Sequence, residues 1–291
     1  WRAIIDSGGI ASLHYPAAPL PKWKFGPAAP AENVGTLSQV PTAAPTSPTV
    51  IVLDRFEEGR DVPAELTSSD EKTRGHGEFI VGILARMGVA AEARNVVLTD
   101  DTVASEQTVA AALANTADNV TNVSLGIAPC EVESPFGKAV ALPPIGIGAA
   151  MATRASSTSE PIVAAAGNHG DARACDDSKV LPWFPALFAQ GNAAWESYTD
   201  LLTDAQLFDA ALLAGDISAL EGSTVSVGSI AGPGSGELLD DPRRASYSAC
   251  GATAWAPGTN VISDYENELA VWSGTSFAAP QIAAAIALGL M

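Results

Sequence analysis

Cysteine, histidine and aromatic residues are scarce in this chain of 291 residues, and basic residues are outnumbered by acidic ones. There are three cysteines, and they lack the paired spacing of a zinc site. Lys and Arg number 15 against 33 Asp and Glu, which gives a formal net charge of −18. A chain this acidic repels nucleic acid and anionic membrane surfaces, so we expect neither as a partner. The charge favours solubility in a secreted or salt-rich setting, and we expect an extracellular or cell-surface protein.

The sequence also has no run of apolar residues long enough to cross a bilayer. It begins at Trp1 without a charged and then apolar leader, so we expect its start to be a processed or trimmed end. Gly, Pro and Ala are abundant, which fits a domain with many tight turns between strands and helices. The length suits one large α/β domain or two small ones with a substantial core.

The chain divides into a short N-terminal region and one folded domain. Residues 1–48 are dense in Pro and Ala from Pro16 onward, and such segments tend to be extended, so we expect organised structure to begin at Thr49. The domain at 49–291 alternates short apolar runs with amphipathic stretches. Residues 187–222 break this rhythm with a helix-like spacing, and we expect them to be an insertion of one or two short helices.

The elements of the domain follow from its hydrophobic periodicity. The pattern predicts strands at 49–53, 95–98, 120–125, 161–166 and 224–230. It predicts helices at 76–87, 106–117, 144–156 and 276–290. Strand and helix in regular order predict a three-layer α/β sandwich with a mostly parallel central sheet and helices on both faces. Active sites of such sheets gather at the carboxyl ends of the strands.

Two polar residues stand where a helix begins. His76 lies between Gly75 and Gly77, and these small neighbours leave its imidazole open to a cleft, although such a turn on its own is more often incidental. Ser276 opens the last predicted helix, which suits a helix cap. The same position also suits a nucleophile, because the backbone N–H groups and the positive end of the helix dipole stabilise an oxyanion there.

Two further polar residues follow predicted strands. Asn168 suits a turn asparagine or an amide donor to the same oxyanion. Asp54 suits a helix cap or turn residue, or a carboxylate that binds the far nitrogen of His76, fixes its tautomer and stabilises the imidazolium. None of these signals decides between its alternatives alone. Their order along the chain does.

The order Asp54, His76, Asn168, Ser276 resembles that of the subtilisin-like serine peptidases, the subtilase family. The segments that carry the resemblance are 50–54, 75–82, 123–126, 164–168, 254–258 and 273–280. It implies a serine endopeptidase that works through an acyl-enzyme, with Ser276 as nucleophile, His76 as general base and Asp54 orienting the histidine. It also implies that the Asn168 side chain and the Ser276 backbone N–H hold the oxyanion.

The resemblance further implies which residues bind a peptide or protein substrate. They are Ser124, Leu125, Gly126, Ala164, Ala165, Ala166, Gly167 and Thr275. Segment 124–126 would be an extended edge to which the substrate backbone adds as a strand, and segment 164–167 would form the other wall of the pocket for the residue before the cut. We expect the insertion at 187–222 to be a surface flap near this cleft. We expect a monomer that needs no cofactor.

Three features depart from the family's pattern. Arg55 and Phe56 replace the usual small residues after the catalytic aspartate, which alters the cleft floor. Phe277 follows the nucleophile, where many relatives have methionine. The chain ends one helix after Ser276, where the family usually continues, so either it is trimmed or this helix is less protected.

These departures keep a second function open, a catalytically inactive domain of the same fold that binds peptides. The complete set of four polar residues argues against it, because a decayed site usually loses at least one member. An esterase or lipase is a third alternative, and it requires the nucleophile in a Gly-x-Ser-x-Gly elbow early in the chain. Ser276 comes late and lacks that elbow.

The cysteines and one acidic loop give two further expectations. Cys130 and Cys175 lie in loops that follow neighbouring predicted strands, so we expect a disulfide between them and a small buried thiol at Cys250. The acidic loop 171–177 lacks the regular ligand spacing of a calcium loop, so a solvated loop is favoured over a calcium site.

Overall fold

Strands and helices alternate along the described part of the chain. The computed structural model describes residues 2–5, 47–56, 75–96, 103–116, 118–127, 130–133, 139–142, 144–170, 181–190, 220–230, 244–265 and 268–291. The strands are β1 Arg2–Ile5, β2 Thr49–Asp54, β3 Ala90–Asn95, β4 Val103–Ser105, β5 Thr121–Val123, β6 Leu125–Gly126, β7 Cys130–Glu133, β8 Ala139–Leu142, β9 Ile162–Ala165, β10 Thr224–Ile230, β11 Ala254–Pro257, β12 Val261–Tyr265 and β13 Glu268–Trp272. The α-helices are α1 His76–Arg86, α2 Glu106–Ala114, α3 Ile145–Ser157 and α4 Thr275–Ala287.

Six of the described strands form one parallel sheet, in the order β11-β10-β9-β5-β2-β3. In one row of its ladder Leu53 pairs with Val123, and Val123 pairs with Ala164. The carboxyl ends of parallel strands meet at one edge of a sheet. The next residues of these strands, Asp54 and Ser124 among them, therefore lie side by side at that edge.

Strand β2 shows why both faces of the sheet are covered. Successive residues of a strand point to opposite faces. Ile51 and Leu53 pack in one hydrophobic cluster with residues of α2 and α3, while Val50 and Val52 pack in another with residues of α1 and α4. All four side chains are at most 2% exposed, and burying each stabilises the fold by about 1.5–3 kcal/mol. The predicted three-layer sandwich is confirmed.

Helix α1 follows from the spacing of its apolar residues. Phe79, Ile80, Ile83 and Leu84 are buried on one face, as a period of 3.6 residues requires. Gly88 follows the helix with φ +78°, a conformation that favours glycine after a helix end. The sequence predicts this helix to within one residue of its end.

Strand β1 lies within the N-terminal region that the sequence predicts to be without organised structure. It pairs antiparallel with β6, with Ile4 opposite Gly126 and Ile5 opposite Leu125. On its other side it pairs antiparallel with β4. The expectation that organised structure begins at Thr49 is therefore wrong for residues 2–5. Backbone pairing on both sides forms this strand.

Two predicted strands differ in their bounds for reasons of pairing. The strand predicted at 120–125 is interrupted at Ser124, because β5 stays in the parallel sheet while β6 leaves it to pair with β1. The strand predicted at 95–98 is instead β3, which ends at Asn95 and pairs with the whole of β2. Pairing with a buried neighbour outweighs the weak strand propensity of its Ala-Ala-Glu-Ala sequence.

The predicted insertion at 187–222 is described at its two ends. Ala186–Gln190 form a 3-10 helix in which Leu187 and Phe188 are buried, and Leu220 is buried in the same hydrophobic cluster. Residues 191–219 lie outside the described residues, so the surface flap stays a prediction. None of the described helices is long and apolar enough to cross a bilayer.

The disulfide arrangement differs from the expected one. Cys250 is buried and disulfide-bonded, so the expected free thiol there is wrong. Its partner is Cys130 or Cys175, the other cysteines of the chain, which excludes a bond between those two. Ala249 N–H donates to Gly167 O at 2.9 Å, which holds residue 250 beside the segment that directly follows β9.

Candidate active site

Asp54 and His76 form a buried pair at the carboxyl edge of the sheet. His76 Nδ1 lies 2.7 Å from Asp54 Oδ1, and both side chains are 0% exposed. A carboxylate oxygen accepts, so Nδ1–H is the donor and the proton of neutral His76 is on Nδ1. Nε2 of the imidazole is then the nitrogen that accepts a proton.

The glycines on either side of His76 allow neighbouring side-chain and backbone groups to pack closely around it. A Cβ atom on Gly75 would collide with the Tyr265 ring, and one on Gly77 would collide with the Arg55 carbonyl oxygen. Gly77 N–H donates to that same carbonyl at 3.2 Å. The expectation that the glycines leave His76 open to a cleft is therefore wrong: they permit close packing that buries it.

Arg55 replaces the small residue that the family usually has after the catalytic aspartate, and its backbone still contacts the Asp54 carboxylate. Its backbone N–H donates to Asp54 Oδ1 at 2.7 Å, so that oxygen accepts from both Arg55 and His76. The other carboxylate oxygen, Oδ2, is buried and makes no hydrogen bond in the described part of the chain. Because the donor at position 55 is a backbone N–H, it orients the Asp54 carboxylate even with arginine in place of a small residue.

Ser276 is the second residue of α4 and is tied to the strand edge at Ser124. Ser276 Oγ donates to Ser124 O at 3.4 Å, and Ser124 Oγ donates to the Ser276 carbonyl at 3.0 Å. Asn122 Nδ2 in turn donates to Ser124 Oγ at 3.0 Å. These bonds fix the first turn of the helix against the end of β5, where Ser276 is 0% exposed.

Asn168 is held by Thr275, the residue before Ser276. Asn168 Oδ1 accepts from the Thr275 backbone N–H at 2.9 Å and from the Thr275 hydroxyl at 3.1 Å. Since Oδ1 accepts both bonds, the orientation of the amide is fixed, with Nδ2 as its donor end. Gly274 accommodates it, because a Cβ atom there would lie 3.1 Å from Nδ2.

Two aromatic side chains pack on His76. The Trp272 ring meets the imidazole edge to face with centroids 5.5 Å apart, and the Phe277 ring is tilted against it at 5.3 Å. The contact with Phe277 places His76 against the first turn of α4, to which Ser276 belongs. The sequence gives no signal for the contact of Trp272 with His76, because Trp272 ends β13 in a separate two-stranded sheet.

The segments expected to bind substrate lie on two neighbouring paths. Leu125 and Gly126 form β6, and the other expected wall, 164–167, consists of the last two residues of β9 and the two that follow them. Gly167 N–H donates to the Thr275 hydroxyl at 3.1 Å, which joins this wall to α4. Hydrogen bonds thus connect both expected walls to the first turn of α4.

No metal centre accompanies these residues in the described ranges. None of their His, Cys, Asp and Glu side chains form a group of three or more that could hold an ion. The acidic loop at 171–177 lies outside the described residues, so its assignment stays a prediction.

Comparison with protein families gives one match over most of the chain. Residues 52–290 match the model described as Subtilase family. No curated protein sequence matches the chain.

Solved structures of proteases are also similar, at low sequence identity. The prenylagaramide maturation protease PagA is 17% identical over 84% of this chain and 75% of its own, with a TM-score of 0.49. A cold adapted subtilisin-like serine proteinase is 21% identical over 83% of this chain and 74% of its own, with a TM-score of 0.48. Sphericase is 18% identical over 87% of this chain and 79% of its own, with a TM-score of 0.49.

Proposed function

The chain belongs to the subtilase family of serine peptidases, and from this premise we propose that it is an endopeptidase that cleaves peptide bonds through an acyl-enzyme. The observation that carries the proposal is the buried pair in which His76 Nδ1–H donates to Asp54 Oδ1 at 2.7 Å. A histidine fixed in this tautomer presents Nε2 as a general base. Its ring packs on Phe277, the neighbour of the nucleophile Ser276.

In the first step Ser276 Oγ attacks the carbonyl carbon of the substrate, and His76 Nε2 takes the hydroxyl proton. The imidazolium is stabilised by Asp54. It then gives the proton to the leaving amine as the peptide bond breaks, which leaves the acyl group on Ser276. Water, activated by the same nitrogen, hydrolyses this ester and restores the serine.

The oxyanion of each tetrahedral intermediate is held by two donors. One is Asn168 Nδ2, whose amide is oriented by the two bonds from Thr275 to Oδ1. The other is the backbone N–H of Ser276, which belongs to the first turn of α4, where N–H groups have no acceptor inside the helix. Such donors are fixed before the charge develops, so they need no reorganisation during the reaction.

The substrate backbone binds as an added strand. Segment 124–126 pairs with it on one side, and segment 164–167 forms the second wall of the pocket. In this structure β1 pairs with β6, so a peptide that adds to this edge replaces β1. The formal net charge of −18 supports an extracellular or cell-surface location, and we propose a monomer that acts on peptides or proteins.

A fluorophosphonate probe tests the proposal, because it forms a covalent bond only with an activated serine. We expect labelling of the wild-type protein and its loss in Ser276→Ala and in His76→Ala. Peptide cleavage should fall by about 10⁶-fold in Ser276→Ala.

Ser273→Ala is the matched control. Ser273 lies in the same Ser-Gly-Thr-Ser segment, but its hydroxyl accepts from Asn260 N–H at 2.8 Å on an exposed side of the domain. Labelling should persist in this variant. A folded wild-type sample that takes up no probe and cleaves no peptide would contradict the proposal and favour an inactive peptide-binding domain.

A further inference from the structure

The indole of Trp183 lies between the two segments that continue from β5 and β9. Val123 and Ala164 pair in the sheet, and from there the chain runs to Gly126 and to Gly167. A Cβ atom on Gly126 would lie 2.8 Å from Trp183 Cε3, and one on Gly167 would lie 3.8 Å from Trp183 Cγ. The same Cβ atom on Gly167 would lie 2.8 Å from the His169 ring, so the indole and the imidazole together occupy the space beside the two glycines.

The backbone around Trp183 is bonded to both segments. Trp183 N–H donates to Ala166 O at 3.0 Å. Phe184 N–H donates to Ile127 O at 3.2 Å, and Ile127 N–H donates to Phe184 O at 2.7 Å. These bonds join the segment that carries Trp183 to the continuations of both β5 and β9, so a shift of the segment breaks pairing with one or the other.

The ring itself is held by His169. The imidazole stacks on the indole with centroids 4.4 Å apart and an angle of 10° between planes. His169 Nε2–H donates to Leu181 O at 2.7 Å, which fixes the imidazole to the segment that carries Trp183. Trp183 is 8% exposed and His169 is 7% exposed. A stacked pair of this kind contributes about 0.5–1.5 kcal/mol beyond its buried area.

The space that the indole fills is the one that, under the proposed function, receives the side chain before the cleaved bond. We infer that Trp183 determines the specificity of cleavage and restricts that side chain to Gly, Ala or Ser. An aromatic or long aliphatic side chain has to displace an indole that is buried and stacked on His169. The backbone that carries this indole is also hydrogen-bonded to both segments. This inference rests on the proposed function, because it assigns the pocket to the residue before the cut.

A peptide series that differs only in the residue before the cut tests the inference. We expect kcat/KM of the wild-type protein to favour Ala over Phe by at least tenfold, within the range that pocket size alone provides. In Trp183→Ala, kcat/KM should rise at least tenfold for the Phe peptide and should fall or stay unchanged for the Ala peptide. A merely structural role for Trp183 would lower kcat/KM for every peptide by the same factor.

Trp255→Ala is the matched control, since it removes an indole that packs over Gly228 in the far strands of the sheet. Its Ala-to-Phe ratio should stay within twofold of the wild-type ratio. Trp183→Phe is the milder variant for the case in which Trp183→Ala does not fold, and it should move the ratio in the same direction. A wild-type preference for Phe or Leu, or an unchanged ratio in both Trp183 variants, overturns the inference.

Calorimetric binding separates this inference from the proposed function. Peptides that end in Ala or in Phe at the residue before the cut are titrated into Ser276→Ala, which needs no turnover. Tighter binding of the Ala peptide, reversed by adding Trp183→Ala, supports the pocket even if the wild-type protein cleaves nothing. Ser276-dependent cleavage with tighter binding of the Phe peptide leaves the endopeptidase in place and overturns only the role of Trp183.

Discussion

Thr275 holds Asn168 by two hydrogen bonds to the same oxygen, one from its backbone N–H and one from its hydroxyl, at 2.9 and 3.1 Å. The hydroxyl also accepts from Gly167 N–H at 3.1 Å. The residue before the nucleophile therefore orients the side chain that is proposed to bind the oxyanion. Its role is positioning, since it acts through Asn168.

Thr275→Val should lower kcat by about tenfold and leave KM within twofold. Valine keeps the branched shape but removes the hydroxyl, so Asn168 Oδ1 retains one donor and the amide loses part of its orientation. The loss is smaller than the 10²–10³-fold expected when an oxyanion donor is removed outright. Steady-state kinetics with one peptide measures both constants.

Thr275→Ser is the control for that substitution, because it restores the hydroxyl in a smaller side chain. It should recover at least half of the lost kcat. If KM rises in Thr275→Val while kcat stays unchanged, the residue binds substrate and does not position Asn168.

Asp54→Asn should lower kcat/KM by about 10⁴-fold, because a neutral amide no longer stabilises the imidazolium that forms when His76 takes the serine proton. The control is Asp264→Asn, because the carboxylate of Asp264 lies 3.5 Å from the Arg86 guanidinium at the surface. That variant should stay within twofold of the wild-type protein, and equal losses in both would assign the effect to net charge.

The positions of Asp54 and His76 were easier to predict from the sequence than their surroundings, and the physical reason is local. Asp54 ends a buried apolar run, and His76 begins an amphipathic stretch. These patterns place both residues at the carboxyl edge of a parallel sheet before any contact is known. The family resemblance added the pairing between them, and the structure places them 2.7 Å apart.

What the sequence did not predict depends on contacts between distant segments. Trp272 packs on His76, which lies nearly 200 residues earlier in the chain, and hydrophobic periodicity does not predict such a contact. The disulfide of Cys250 is a second such contact, because predicted strand ends do not show which cysteines approach each other. Strand β1 has no alternating pattern of its own, since its pairing partners β4 and β6 supply the hydrogen bonds.

Arg154 gives a prediction for stability that is separate from the active site. It is 2% exposed and donates to Thr116 Oγ1 at 2.9 Å and to Asn119 O at 2.8 Å. Burial lowers the pKa of Arg154, partly offset by the charge of Glu160, but a guanidinium keeps its proton at neutral pH. Arg154→Met should lower the free energy of unfolding by about 3 kcal/mol, because its buried acceptors lose their donors.

Urea unfolding followed by fluorescence measures this loss. Arg154→Lys keeps the charge, yet an ammonium lacks the planar fork that reaches several acceptors, so its loss should be intermediate. Fluorophosphonate labelling of both folded variants should match the wild-type protein. A loss below 1 kcal/mol in Arg154→Met would contradict the structural role.

Strand β1 occupies the edge of β6 to which the substrate is proposed to bind. β1 lies between β4 and β6, which are roughly 10 Å apart because neighbouring strands are spaced by about 4.8 Å. That gap fits one strand, so β1 and a peptide compete for it. Ile4→Pro removes a backbone N–H from the central strand and weakens its pairing. We expect KM to fall by roughly two- to tenfold, the equivalent of one net hydrogen bond, with kcat unchanged.

Ile4→Val is the control, since it keeps the N–H and a β-branched side chain, and its KM should equal that of the wild-type protein. Hydrogen exchange gives a reading that needs no catalysis: in a Ser276→Ala background, the amides of β6 should lose protection in Ile4→Pro and keep it in Ile4→Val. An excess of peptide should accelerate exchange in β1 of the Ser276→Ala protein, because the peptide takes its place. If KM rises in Ile4→Pro, β1 supports the edge instead of competing for it.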